Sequence, residues 1–194
     1  MKHVGIFSGS FNPIHNGHIA LASYIREKCG LDEVWLSVSP NNPLKDAGTL
    51  LDENLRYMLA RDAVAHIEGL RAINFEFSLP RPSYTINLLR ALSETYTDTL
   101  FALIIGSDNM LVFDQWYCWK EILQNYRVIV YPRGNDNLCE LSRKFPQMEV
   151  LQEAPKFDIS STQIRKLYRT HGDLSEIVPN NVEKLLANKK NLWE

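Results

Sequence analysis

The chain has 194 residues, 45% of them apolar and 23% charged, with a formal net charge of −2. That length suits one domain with a well-filled core, and that composition suits a water-soluble globular protein. The near-neutral charge argues against a general nucleic-acid binder, which needs a basic face, although local basic residues can still hold a nucleotide. No apolar run approaches the roughly 20 residues that span a bilayer, and no signal-like segment opens the chain. Cys29, Cys118 and Cys139 are odd in number, far apart and outside any Cys-x-x-Cys spacing. They predict reduced, mostly structural thiols in a cytoplasmic protein.

Val4-Gly5-Ile6-Phe7 reads as a buried first strand, and from Ile19 to Arg26 apolar residues recur at helical spacing. Between them lies Gly9-Ser10-Phe11-Asn12-Pro13-Ile14-His15-Asn16-Gly17-His18, a strand-to-helix turn. Gly9 permits a close approach that a side chain would block. Ser10 adds a hydroxyl beside its N–H, and Asn12-Pro13 is a turn signal. His15 and His18 fall three apart at the mouth of the helix, where unpaired N–H groups and the dipole favour an anion. Three roles compete for the pair. A zinc site lacks the Cys or carboxylate that would complete three or four ligands. Simple helix capping is the second role. A phosphate site with imidazole donors is the third, and the glycine, the helix start and the two donors together favour it.

Gly30 is a stop for that helix. Glu33 to Val38 reads as a second buried strand running into a turn-rich loop, Ser39 to Asp46, where a ligand crevice should open. Asp52 caps a helix through about Ile67, with Leu55, Met58, Leu59, Ala63 and Ile67 inward. Ala72 to Phe77 alternates like a strand, and Pro80-Arg81-Pro82-Ser83-Tyr84-Thr85 breaks the chain before a helix to about Glu94. Thr99 to Ile105, the most apolar run, predicts the central strand, ending at Gly106-Ser107-Asp108. A compact aromatic segment follows with Phe113, Trp116, Tyr117 and Trp119; the helical spacing of Phe113 and Trp119 favours core packing for those two. Arg127 to Tyr131 is a strand, Asn137 to Phe145 a helix and Met148 to Leu151 a short strand. Ile159 to Arg165 opens a further helix, and Val182 to Ala187 forms a last one. This alternation predicts an α/β fold: a doubly wound, mostly parallel sheet flanked by helices, with right-handed crossovers and a small C-terminal helical part. With no repeats or linkers, residues 1–194 read as a single domain. His3, His66 and His171 show no partner and receive no role.

Gly9 to His18 resembles the signature of the nucleotidylyltransferase superfamily, with its His-x-Gly-His turn after the first strand. Ile159-Ser160-Ser161-Thr162-Gln163-Ile164-Arg165 is similar to that superfamily's Ile-Ser-Ser-Thr-x-Ile-Arg motif; taken alone, it is an ordinary N-cap or a second anion site. Within the superfamily the chain resembles the bacterial nicotinate mononucleotide adenylyltransferases, from Gly5 to about Arg169. Pro82-Ser83-Tyr84-Thr85 and Trp116-Tyr117 match their Pro-Ser-Tyr-Thr and Trp-Tyr pairs. Two departures stand out: Asn12 where the family typically has Asp, and Leu44 where its Pro-Pro-His-Lys loop often has His.

The resemblance implies a Rossmann-like fold and transfer of AMP from ATP to nicotinate mononucleotide, giving deamido-NAD and pyrophosphate without a covalent intermediate. It implies catalytic roles for His15, His18, Lys45 and Arg165. For ATP it implies contacts from Gly9, Ser10, Phe11, His15, His18, Gly106, Asp108, Ser160, Ser161, Thr162 and Arg165. For the mononucleotide it implies Ser10, Asn41, Lys45, Ser83, Tyr84, Thr85, Trp116 and Tyr117. A loop lysine is otherwise a solvated one, and an Asp after a strand otherwise a cap. Magnesium would be bound mainly through ATP phosphates and water, with no protein metal ligands. The expected partners are the two substrates, with no nucleic acid and no membrane; a homo-oligomer stays open. Related alternatives are a nicotinamide mononucleotide or pantetheine-phosphate adenylyltransferase, or a nucleotide sensor without turnover.

Overall fold

The structure, a computed structural model, describes residues 1–40, 50–134, 138–157, 159–189 and 192–193. In chain order the elements are β1 (Lys2–Gly9), α1 (Asn16–Lys28), β2 (Glu33–Val38), α2 (Glu53–Val64) and β3 (Leu70–Ile73). There follow α3 (Thr85–Thr95), β4 (Thr99–Gly106), α4 (Ser107–Leu111), α5 (Trp119–Asn125) and β5 (Arg127–Tyr131). Last come α6 (Leu138–Lys144), β6 (Glu149–Val150), α7 (Ser161–Arg169) and α8 (Asn180–Asn188). The strands form one sheet in the order β3-β2-β1-β4-β5-β6, and every neighbouring pair is parallel.

A parallel sheet is covered on both faces, so its inner strands are apolar almost throughout. β4 is the clearest case, with all six residues from Phe101 to Gly106 buried. Alternate side chains enter two separate cores. Phe7, Val34, Leu36, Ala102, Ile104 and Ile129 pack beneath α1, α2, α7 and α8. Val4, Ile6, Trp35, Phe101, Leu103, Ile105, Val128 and Val130 pack on the other side against residues of α3, α4, α5 and α6. The expected central strand is therefore realised: β4 lies beside β1 in the middle of the sheet. Phe113 is fully buried and Trp119 packs against the same core, as their spacing indicated. At the end of α1, Gly30 has a positive φ of 64°, the left-handed conformation that makes glycine a helix stop.

Three expectations need correction. The alternating stretch Ala72 to Phe77 is not one strand: β3 ends at Ile73, and Phe75–Ser78 is a 3-10 turn. Asn74, at φ −113° and ψ 25°, leaves the extended conformation there, and the turn swings Glu76 inward. Helix α2 stops at Val64 instead of about Ile67. Along the face expected inward, Leu59 is buried and Leu55, Ala63 and Ile67 pack against the core, but Met58 is 40% exposed and Arg56 is buried instead.

Candidate active site

β1 leads through α1 toward one edge of the sheet and β4 leads through α4 and α5 toward the other. Open α/β sheets bind ligands in the crevice beyond the strand ends at such a reversal. A cleft of about 990 Å³ lies there, lined among others by Gly9, Ser10, Phe11, His15, His18, Gly106, Asp108, Ser160, Ser161, Thr162 and Arg165. Ser83, Tyr84, Thr85, Trp116 and Tyr117 line the same cleft. Asn41 and Lys45 lie outside the described residues.

His15 is the N-cap of α1, and it forms a reciprocal cap with His18. The His18 backbone N–H donates to His15 Nδ1, and the His15 backbone N–H donates to His18 Nδ1, each at 3.3 Å. The two rings stack with centroids 3.5 Å apart. Capping and ligand binding are thus compatible. With its Nδ1 accepting, the proton of the neutral His15 ring sits on Nε2, where it can be donated to an anion. Burial, helped by the charge of Arg133, pushes the His15 pKa down to about 4, so its ring is neutral at pH 7. Gly17 makes room for the pair: a Cβ there would lie 3.1 Å from both His15 Nδ1 and the Phe157 Cβ. The crowding that this glycine relieves is therefore internal. Phe11, buried with a positive φ of 42°, sets its ring edge-on to His18 at 5.0 Å. A bulky residue in that region is strained, and such strain concentrates at functional turns.

The second motif arrives at this turn from the far end of the chain. Ser160 caps α7, its hydroxyl accepting from the Gln163 N–H at 3.2 Å, so for this serine the ordinary reading holds. Ser161 instead donates to the Pro13 carbonyl at 2.9 Å, and Arg165 Nη1 donates to the Asn12 carbonyl at 2.9 Å. Arg165 Nη2 also donates to Thr162 Oγ1 at 3.1 Å. Asn12 itself is buried and accepts from the Leu51 N–H through its side-chain oxygen at 3.1 Å. An amide and a carboxylate share that acceptor, which explains how the turn accommodates Asn12.

At the end of β4, a Cβ on Gly106 would collide with the Asp108 carboxylate, so this glycine lets Asp108 fold back over the strand end. Asp108 is exposed and pairs with Arg133 Nη1 at 3.1 Å. Arg133 was missed in the sequence, where Pro132-Arg133-Gly134 reads only as a strand stop; its position after β5, next to β4, is what brings it to the cleft. On the other side, the rings of Tyr84 and Tyr117 lie 4.8 Å apart, both exposed. Tyr84 is the N-cap of α3 and makes no side-chain cap bond to it. Trp116 lies against the buried Phe113 ring at 5.2 Å while lining the cleft.

Among the described residues, no group of three or more His, Cys, Asp or Glu side chains is placed to hold a metal. The motif side chains that line the cleft are mainly imidazoles, hydroxyls and a guanidinium, a donor set suited to phosphate oxygens. Among the described residues, no helix is long and apolar enough to cross a membrane.

Comparison with known proteins agrees with this donor set. The cytidylyltransferase-like family profile matches residues 6–167. A Bacteroides thetaiotaomicron protein named probable nicotinate-nucleotide adenylyltransferase is 48% identical over 162 residues, covering 84% of this chain and 79% of that protein. A Bacteroides fragilis protein of the same name is 46% identical over 170 residues, covering 88% of this chain and 84% of the relative. In fold, the chain is similar to the Plasmodium falciparum nicotinic acid mononucleotide adenylyltransferase complexed with NaAD. That match has a TM-score of 0.80 at 21% identity and covers 100% of this chain and 98% of the other. The chain belongs to the cytidylyltransferase-like family and, within it, to the nicotinate-nucleotide adenylyltransferases.

Proposed function

We propose that the chain transfers the AMP moiety of ATP to nicotinate mononucleotide, releasing pyrophosphate and deamido-NAD. The observation that carries this most directly is the joining of two anion-suited helix starts in one cleft. Ser161 and Arg165 of α7 hold the carbonyls of Pro13 and Asn12, next to the stacked histidines of α1. Two such sites suit a triphosphate better than a single phosphate.

An oxygen of the mononucleotide 5′-phosphate attacks the α-phosphorus in line. The new P–O bond forms as the bridging α–β bond breaks, and its electron pair leaves on pyrophosphate. A phosphate monoester is already ionised near neutral pH, its second pKa being about 6, so no strong general base is required. Catalysis then rests on positioning two anions and neutralising their charge. His18 contacts the α-phosphate and the neutral His15 donates beside it. Arg165, Thr162 and the backbone N–H of Ser161 steady the leaving pyrophosphate, and Lys45, assigned by resemblance, takes the acceptor phosphate or the triphosphate. Asp108 accepts from the adenosine ribose hydroxyls, with the Gly106 backbone against the nucleotide and Arg133 beside them. A divalent cation, magnesium in this reading, would be held mainly through the substrate phosphates and water and would supply charge neutralisation when bound.

The pyridine ring stacks near Trp116 and Tyr117. Its carboxylate meets the uncapped start of α3 and the Thr85 hydroxyl, which favours the acid over the amide. A single domain accounts for a site drawn from both ends of the chain, and free thiols at Cys29, Cys118 and Cys139 suit a cytoplasmic setting. Incubation with ATP, magnesium and nicotinate mononucleotide, followed by mass spectrometry, tests the reaction. Equal amounts of the dinucleotide and pyrophosphate are expected. An adenylylated chain on the path, or no dinucleotide, would contradict it.

A further inference from the structure

Two buried charges lie outside the recognised motifs and beneath the acceptor half of the cleft. Arg56, on α2, is 0% exposed, and among the described residues no carboxylate forms an ion pair with it. Its guanidinium donates to four backbone carbonyls: Nε to Leu51 at 2.9 Å, Nη1 to Ser10 at 2.6 Å and Ser39 at 2.8 Å, and Nη2 to Pro40 at 2.9 Å. Ser10 leaves β1, and Ser39 and Pro40 leave β2.

Glu76, in the 3-10 turn after β3, is 4% exposed and holds hydroxyls from three segments. Its Oε1 accepts from Ser8 and Ser37, each at 2.9 Å. Its Oε2 accepts from Ser83 at 2.8 Å and, more weakly, from Ser39 at 3.4 Å. Ser39 therefore joins the two charges, its carbonyl bound to Arg56 and its hydroxyl to Glu76.

Burying a charge without a partner ion is costly, and apolar replacements of similar volume are often neutral or stabilising. An apolar side chain, however, cannot hold several separate loops at fixed distances. The planar fork of Arg56 and the two oxygens of Glu76 do so. Their partners are the exits of β1 and β2 and the Ser83 loop that leads into α3, the segments that surround the acceptor phosphate and pyridine ring in the function proposed above.

We propose that Arg56 and Glu76 are positioning residues that set the acceptor half of the cleft as one block, and so determine affinity for the mononucleotide more than for ATP. This rests on the proposed reaction. Pyrophosphate-release kinetics of the full chain, varying each substrate in turn, test it with Arg56→Lys and Glu76→Gln. Each variant is expected to raise KM for nicotinate mononucleotide by about tenfold or more, a fraction of what a misplacement of about 1 Å can cost, with KM for ATP within about twofold. KM values that rise in step, as general loosening would produce, or that do not change, would overturn it. Thermal melting shows whether each variant folds; where Arg56→Lys does not, Ser37→Ala, which removes a buried hydroxyl that Glu76 holds outside the cleft lining, carries the same expectation. An unmodified chain that releases no pyrophosphate overturns the reaction itself, whereas an active unmodified chain with unselective variants overturns only the positioning role.

Discussion

His15 enters its cap position with a neutral ring, and that has a consequence for stability as well as for binding. Its pKa is about 4 when folded against an ordinary 6.5. The unfolded chain therefore takes up the proton first as pH falls. Stability from the neutral ring is fully present above pH 6.5 and drains away between pH 6.5 and 4, a loss on the order of 3 kcal/mol. His15→Gln keeps a cap acceptor without the titration. Urea unfolding at pH 7 and pH 4.5 should show the unmodified chain losing more stability than this variant; equal losses would contradict it. His18→Ala should lower turnover by about 100-fold, the cost of one preorganised donor, and a near-normal kcat would remove the α-phosphate role. Both histidines were legible because their spacing and helix-start position carry the chemistry. Arg56 and Glu76 were not. A charged residue in a helix or after a strand reads as a solvated face, and only tertiary contacts reveal that carbonyls and hydroxyls have replaced the water.

Elements with strong apolar runs or caps were the readable ones: β1, β2, β4, β5 and the starts of α2 and α7 follow from local pattern. β3 was misread because Phe75 and Phe77 continue an alternation after the backbone has already turned at Asn74. On the inward face of α2 only Met58 was misread: it suits a core on composition, while the loops above the helix require Arg56. The exposure of Met58 beside the buried Leu59 predicts a contrast measurable by chemical denaturation. Leu59→Ala, 3% exposed, should cost about 2–5 kcal/mol, and Met58→Ala well under that range. Comparable losses would contradict the helix orientation. For α7, Ser161→Ala removes the bond to Pro13 and should cost about 1 kcal/mol while raising KM for ATP, since the helix start would no longer be held against the turn. Unchanged KM for ATP in a variant of reduced stability would separate the tie from binding.

At the scale of the molecule, sheet order creates the site. Placing β1 beside β4 sends their connections apart, opens the cleft, and lets a motif near residue 15 meet one near residue 161. Neither motif alone favours a phosphate site over a cap; their bonded contact supports the phosphate reading proposed above, and sequence spacing cannot express it. The proposed acceptor half follows from the same topology, since β2 lies beside β1 and Glu76 links Ser8 and Ser37 of those strands to Ser83 before α3. What that half selects is the central claim about function. The most direct measurement is pyrophosphate release with magnesium and ATP, comparing nicotinate mononucleotide with nicotinamide mononucleotide at matched concentrations. A clearly higher kcat/KM for the acid is predicted, from the uncapped start of α3 and the Thr85 hydroxyl. Equal values would contradict the carboxylate pocket while leaving the transferase, and release with neither would contradict the reaction.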